Sequence, residues 1–127
     1  MESAQLKPVL VIDNREIYAP VGPHGDLVCQ VARADPSTLD PSAYAAVFVH
    51  DDNSAELNWA REHAAKHFGG VYFKFTGRRG QADNVTVHRG AYKLPRWVFQ
   101  RYFTAFLAAY RERGLADAVT ARIFEEA

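Results

Sequence analysis

The sequence predicts one α/β domain, with a largely parallel sheet of about five strands between two helical layers. Three observations carry this reading. Short apolar runs recur along the chain: PVLVI, LVCQVA, AAVFV and VYFKF. These runs are near-continuous, as in strands buried on both faces, and do not alternate with polar residues. Two longer segments, after AAVFV and after Leu94-Pro95, space their apolar residues as helices do.

In chain order, Pro8 to Ile12 reads as a buried strand ending in Asp13-Asn14. Glu16 to Asp26 holds Pro20, Gly22, Pro23 and Gly25, which leaves room for a short helical turn near Arg15 to Tyr18 and no more. Leu27 to Ala32 is a second strand. Asp35-Pro36-Ser37 and Asp40-Pro41-Ser42 are capped turn signals, with a short helical turn between or just after them. Ala45 to Val49 is the central strand, broken abruptly by His50-Asp51-Asp52-Asn53.

Asn53 and Glu56 have capping-box spacing, so a helix starts at Ser54 and runs to about Phe68, before Gly69-Gly70. Leu57, Ala60, Ala64 and Phe68 share one face, and Trp59 and His63 point away from it. Val71 to Phe75 is a fourth strand and Val85 to Val87 a fifth; the stretch between them is too short for a crossover helix. A long helix opens at Leu94-Pro95 and stops at Gly114. Phe99, Tyr102, Phe103, Phe106, Leu107 and Tyr110 give it a wide apolar stripe. The tail, residues 115–127, has residues that alternate like a strand but a composition that suits a helix, and we read it as helix.

At 127 residues the chain has the size of a single domain, 1–127. Its 48% hydrophobic and 24% charged residues are those of a folded chain and not of a disordered one. Lys plus Arg and Asp plus Glu both number 15, so net charge points to neither nucleic acid nor membrane as partner. The single Cys29 excludes an internal disulfide and a cysteine-based zinc site and fits a reducing, cytoplasmic setting. No apolar stretch approaches a membrane span, and MESAQLKP does not read as a signal peptide. Between Lys74 and Arg101 the only acid is Asp83, set among Lys74, Arg78, Arg79, Arg89, Lys93, Arg96 and Arg101. The rest of the chain is correspondingly acidic.

Right-handed connections bring the strand ends to one edge, which would carry Asp13, His50, Asp51, Asp52, Thr76, Arg78, Arg79, His88 and Arg89. The plain reading of Asp52 and Asn53 is a helix N-cap cluster. The chemical reading is a divalent-cation site on Asp13, His50, Asp51 and Asp52, with Arg78 or Arg79 on a phosphate, as in metal-assisted phosphoester chemistry. Trp59 with His63, and Trp97 with Arg101, read as contact surfaces for a protein partner. The aromatic excess of the long helix suggests a homodimer.

From Val9 to Arg113 the pattern resembles the receiver domain of bacterial response regulators, a flavodoxin-like fold. VLVIDN resembles the first family strand with its magnesium-holding acids, VFVHDDN the third strand with its phosphoacceptor, and YFKFTG the fourth. The resemblance implies Asp51 as phosphoacceptor, Asp13 and Asp51 as Mg²⁺ ligands and Thr76 as the switch hydroxyl. For the family lysine after the fifth strand, His88 lies nearest the strand end and Lys93 further on. Asn14 stands where the family has a second acid, and the first and fourth helices are reduced. The expectation is a degenerate receiver-like regulatory or protein-interaction module, not phosphorylated. The competing expectation is a small metal-dependent enzyme acting on a phosphate-containing substrate.

Overall fold

The protein is described by a computed structural model covering residues 6–14, 23–76, 86–88 and 91–125. The strands are β1 (Val9–Ile12), β2 (Val28–Val31), β3 (Ala46–His50), β4 (Tyr72–Thr76), β5 (Thr86–His88) and β6 (Ala91–Pro95). The helices are α1 (Ser54–Ala64), α2 (Arg96–Arg113) and α3 (Ala118–Ala121). The strands form one sheet in the order β2-β1-β3-β4-β6-β5. The first four strands are all parallel, β6 joins β4 in parallel, and β5 runs antiparallel along β6.

The α/β class and the mostly parallel sheet are as the sequence predicts, but the strand count is corrected. Ala91 to Pro95 reads in sequence as the lead into a helix, because Lys93 and Pro95 interrupt its apolar character. It is a strand, and its hairpin partner β5 puts the antiparallel member at the sheet edge.

Alternation along the strands sorts the core into two layers. Val9, Val11, Phe48, Phe73 and Phe75 face α2, where they meet Phe99, Phe103, Phe106 and Phe124. Leu10, Ile12, Val47 and Val49 face α1 and meet Trp59, Ala60, Ala64 and Phe68. Phe48 is the hub of the aromatic layer. Its ring stacks on Phe73 at 4.1 Å, with Phe99, Phe103, Phe106 and Phe124 around it at 5.1 to 5.8 Å. The α2 stripe is therefore core as read, with Tyr102 only partly buried.

The tail is helical: α3 leads into a 3-10 turn, Arg122–Glu125, that buries Phe124. Asp35 and Asp40 cap two 3-10 turns, Pro36–Thr38 and Pro41–Ala43, each accepting from a serine N–H at 3.0 Å. α1 ends at Ala64, short of Phe68. The chain then turns through three left-handed residues, Phe68 (φ 56°), Gly69 (φ 62°) and Gly70 (φ 83°). Gly69 is required there, because a Cβ would collide with the Ala116 carbonyl oxygen. Phe68 bears left-handed backbone strain while its ring, 3% exposed, anchors beside Trp59. The expected turn at Arg15 to Tyr18 lies outside the described residues. No helix among the described residues is long and apolar enough to cross a membrane.

Candidate functional site

β1 and β3 are neighbours, with β2 on one side and β4 on the other. Chain connections diverge between β1 and β3, and open sheets bind ligands outside such a switch point, at the carboxyl ends of the strands. Asp13 follows β1 directly. His50 closes β3, and Asp51 and Asp52 come next. Ile12 pairs with Val49, so Asp13 and His50 are the next neighbours across the two strands.

Both lie in the interior. Asp13 is fully buried, with its N–H donating to the Val31 carbonyl at 2.9 Å, and His50 is 1% exposed. The His50 ring meets the edge of Phe75 at 5.4 Å. Its Nδ1 accepts the Asp52 N–H at 3.1 Å and lies 3.3 Å from Asp51 Oδ1. Its Nε2 is buried with no hydrogen-bond partner among the described residues, and Asn14 Oδ1 is in the same condition. Asp51 and Asp52 reach solvent, with side chains 23% and 30% exposed. Among the described residues His50, Asp51 and Asp52 form a group whose ligand atoms lie within 4.8 Å of one another, and Asp13 is not a member.

Asn53 and Glu56 do not form the expected capping box. Asn53 makes no side-chain cap at the α1 start. It accepts the Asn14 N–H at 3.2 Å and donates to Ala32 O at 3.2 Å and to Glu56 at 2.9 Å. Glu56 in turn accepts the Ala34 N–H at 3.2 Å. The pair thus ties together the loops after β1, β2 and β3, and both side chains are buried. The sequence reading missed this role, although a carboxamide and a carboxylate one turn apart, beside an acidic strand end, were its available signal. Glu56 also explains the correction at Trp59. Its burial rotates the inward arc of α1 to Glu56, Trp59, Ala60 and Ala64, so Trp59 is core, 5% exposed, and not a contact surface.

The remaining candidates are scattered. Thr76 ends β4 one residue past Phe75, whose carbonyl accepts the Asp51 N–H at 2.9 Å, so Thr76 is level with Asp51. His88 pairs with Ala91, which pairs with Tyr72 at the start of β4. The antiparallel run of β5 thus places His88 at the opposite edge of the sheet, correcting its assignment to the acidic edge. Lys93 pairs with Lys74, and Lys74 with Val49, so Lys93 lies within the sheet and short of the edge. Arg78 and Arg79 lie outside the described residues.

His63 is half-buried beside Trp59, with ring centroids 5.7 Å apart. Trp97 is 41% exposed at the start of α2, and the Arg101 guanidinium lies over Tyr102 at 5.5 Å. A cavity of about 390 Å³ opens at the far edge, lined by Lys7, Tyr44, Lys66, His67, Leu115 and Ala116 among others, away from the acids. No family model, curated protein or solved structure matches the chain.

Proposed function

We propose that this chain is a receiver-like regulatory module that works through a protein partner and not through phosphorylation of Asp51. The strand order carries this reading. Taken alone, the parallel strands β2-β1-β3-β4-β6 follow the 2-1-3-4-5 order of flavodoxin-like sheets. That order sets the Asp13 and Asp51 backbones at adjacent strand ends, with Thr76 level beside them. The degenerate character rests on Asn14, which replaces an acid and whose N–H is held by Asn53. Mg²⁺ chemistry of the receiver kind would need a carboxylate there. The donors that do converge are His50, Asp51 and Asp52, a set without Asp13. Trp97 and Arg101, at the start of α2 and beside the same edge, are the proposed contact for the partner, or for a second copy of the chain.

The test is the intact mass of the full chain after incubation with Mg²⁺ and a small acyl phosphate. An unchanged mass is expected. A gain of one phosphoryl group that vanishes in Asp51→Asn would establish a working receiver instead. One observation favours the second reading, a metal-dependent phosphoesterase: an imidazole and two half-exposed carboxylates converge on one point. Phosphate release from simple phosphate esters in the presence of Mn²⁺ or Zn²⁺, lost in Asp51→Asn, would support that reading over the first.

A further inference from the structure

We infer that the cavity at the amino ends of β1, β3 and β4 binds a small organic carboxylate, its charged head answered by Lys7 and Lys66 and its short apolar body by the cavity floor. The site is on the opposite edge of the sheet from His50 and Asp51 and does not rest on the regulatory reading above. Its walls come from four stretches far apart in sequence. Leu6 and Lys7 lead into β1, Tyr44 and Ala45 lead into β3, and Lys66 to Gly69 lie between α1 and β4. The fourth wall is the end of α2 and the chain just after it. These walls are tied to one another. The Tyr110 hydroxyl donates to the Lys7 carbonyl at 2.6 Å, and the Ala45 N–H donates to the Pro8 carbonyl at 2.9 Å. Gly69 packs against the Ala116 backbone too closely for any side chain, and the Phe68 ring is anchored on Trp59 at 5.5 Å. The cavity is therefore built into the fold, as small-molecule sites generally are.

Two properties of the lining select the ligand. The first is charge. Lys7 and Lys66 are exposed, His67 is half-buried, and among the described residues no acid lines the cavity. A helix end accounts for part of this, because Lys66 and His67 follow α1, whose last carbonyls favour cations. Lys7 precedes β1 and follows no helix among the described residues, so its place at the same cavity has no such explanation. Asp40 stands close by. Its carboxyl is held below its usual value first by the Ser42 hydroxyl and N–H, and then by the charges of His67 and Lys7. With His67 counted neutral, two ammonium groups against one carboxylate leave a single surplus positive charge, which matches a monoanion better than a doubly charged phosphate. The second property is the apolar surface between these charges. Leu6, Ala45 and Ala116 line the cavity, and Leu115, 50% exposed, adds apolar area that a bound hydrocarbon would remove from water. A volume of about 390 Å³ is enough for a ligand of this size.

The experiment titrates the full, ¹⁵N-labelled chain with hexanoate and follows its backbone amide resonances. Saturable shifts are expected at Ala45, Gly69, Gly114 and Ala116, and none at Asn14 or Asp52. Hexanamide keeps the hydrocarbon and lacks the charge, whereas acetate and inorganic phosphate keep a charge and lack the hydrocarbon. Each of the three should bind at least about tenfold more weakly than hexanoate. Lys7→Gln and Lys66→Gln change exposed side chains and should keep the fold, which thermal unfolding checks. Each should weaken hexanoate binding about threefold, and the double variant about tenfold. Arg61→Gln, exposed on α1 and outside the cavity, should leave it unchanged. Absence of saturable hexanoate shifts at the cavity would overturn the site. So would hexanamide or inorganic phosphate binding as tightly as hexanoate, or a double lysine variant that binds hexanoate like wild type.

Discussion

The α2 face of the sheet and its carboxyl edge meet at His50 and are built on opposite principles. On the α2 face the buried side chains are overwhelmingly hydrocarbon. Phe48, Phe73, Phe75, Phe99, Phe103 and Phe106 are all at most 1% exposed. One row further on, the same face carries Asp13 and His50, equally buried but polar. The two buried side-chain atoms left without a hydrogen-bond partner among the described residues, His50 Nε2 and Asn14 Oδ1, both belong to that edge. Buried polar groups cost stability unless paired. Among the described residues, then, one face is filled with phenylalanine and the next row carries buried polar atoms without partners, an arrangement that serves stability less well than a continued apolar face would.

Substitutions on the two sides of this boundary should separate them. The largest effect belongs to the hydrocarbon face. Phe48→Ala empties the hub of the aromatic layer and should cost about 3–5 kcal/mol, read by urea unfolding. A loss below about 1 kcal/mol would mean that the neighbouring rings collapse into the gap. The clamp beneath the edge comes next. Asn53→Ala frees the Asn14 N–H and Ala32 O and leaves the Glu56 carboxylate with fewer donors, an expected loss of about 2–3 kcal/mol. Hydrogen exchange should quicken first at Asn14 and Ala34. A uniform acceleration across the sheet would contradict the loop-clamp role.

A smaller effect separates both regions from an ordinary cap. Asp117 accepts from the Val119 and Thr120 N–H groups at 3.0 Å each. Desolvation raises its pKa, but those bonds and the Arg113 guanidinium outweigh it, so the carboxyl is held below its usual value. A lowered folded pKa gives stability that is present above the unfolded value, about pH 4, and lost as pH falls through the folded one. Asp117→Ala should cost about 1 kcal/mol at neutral pH and flatten that acid limb of the thermal unfolding curve. An unchanged limb would remove Asp117 as its source.

The contrast between these caps explains what could be read from the sequence. Asp35-Pro36-Ser37 and Asp40-Pro41-Ser42 were legible because they are solvent-exposed and local: nothing competes with the serine N–H for the carboxylate. Asn53-x-x-Glu56 carries an equally local signature, but it is buried between three loops, and distant backbone groups captured both side chains. Propensity and spacing do not see such partners. Trp59 was misplaced for the same reason, since burial of Glu56 sets the inward face of α1. The polar ends of β1 and β3 could be read because an apolar run that breaks into acids needs no long-range information. The place of His88 could not, because the direction of β5 depends on β6, whose lysine and proline hid it.

The most direct measurement compares wild type with His50→Leu in metal-free buffer, by urea unfolding. Leucine removes the buried imidazole, whose Nε2 has no partner among the described residues, and adds apolar contact against Phe75, while the Asp52 N–H loses one acceptor. If His50 is held at the edge for a ligand and not for the fold, the two proteins should agree within about 1 kcal/mol. A loss of about 3 kcal/mol or more, on the scale of Phe48→Ala, would make His50 part of the structural core and contradict the division drawn at this row.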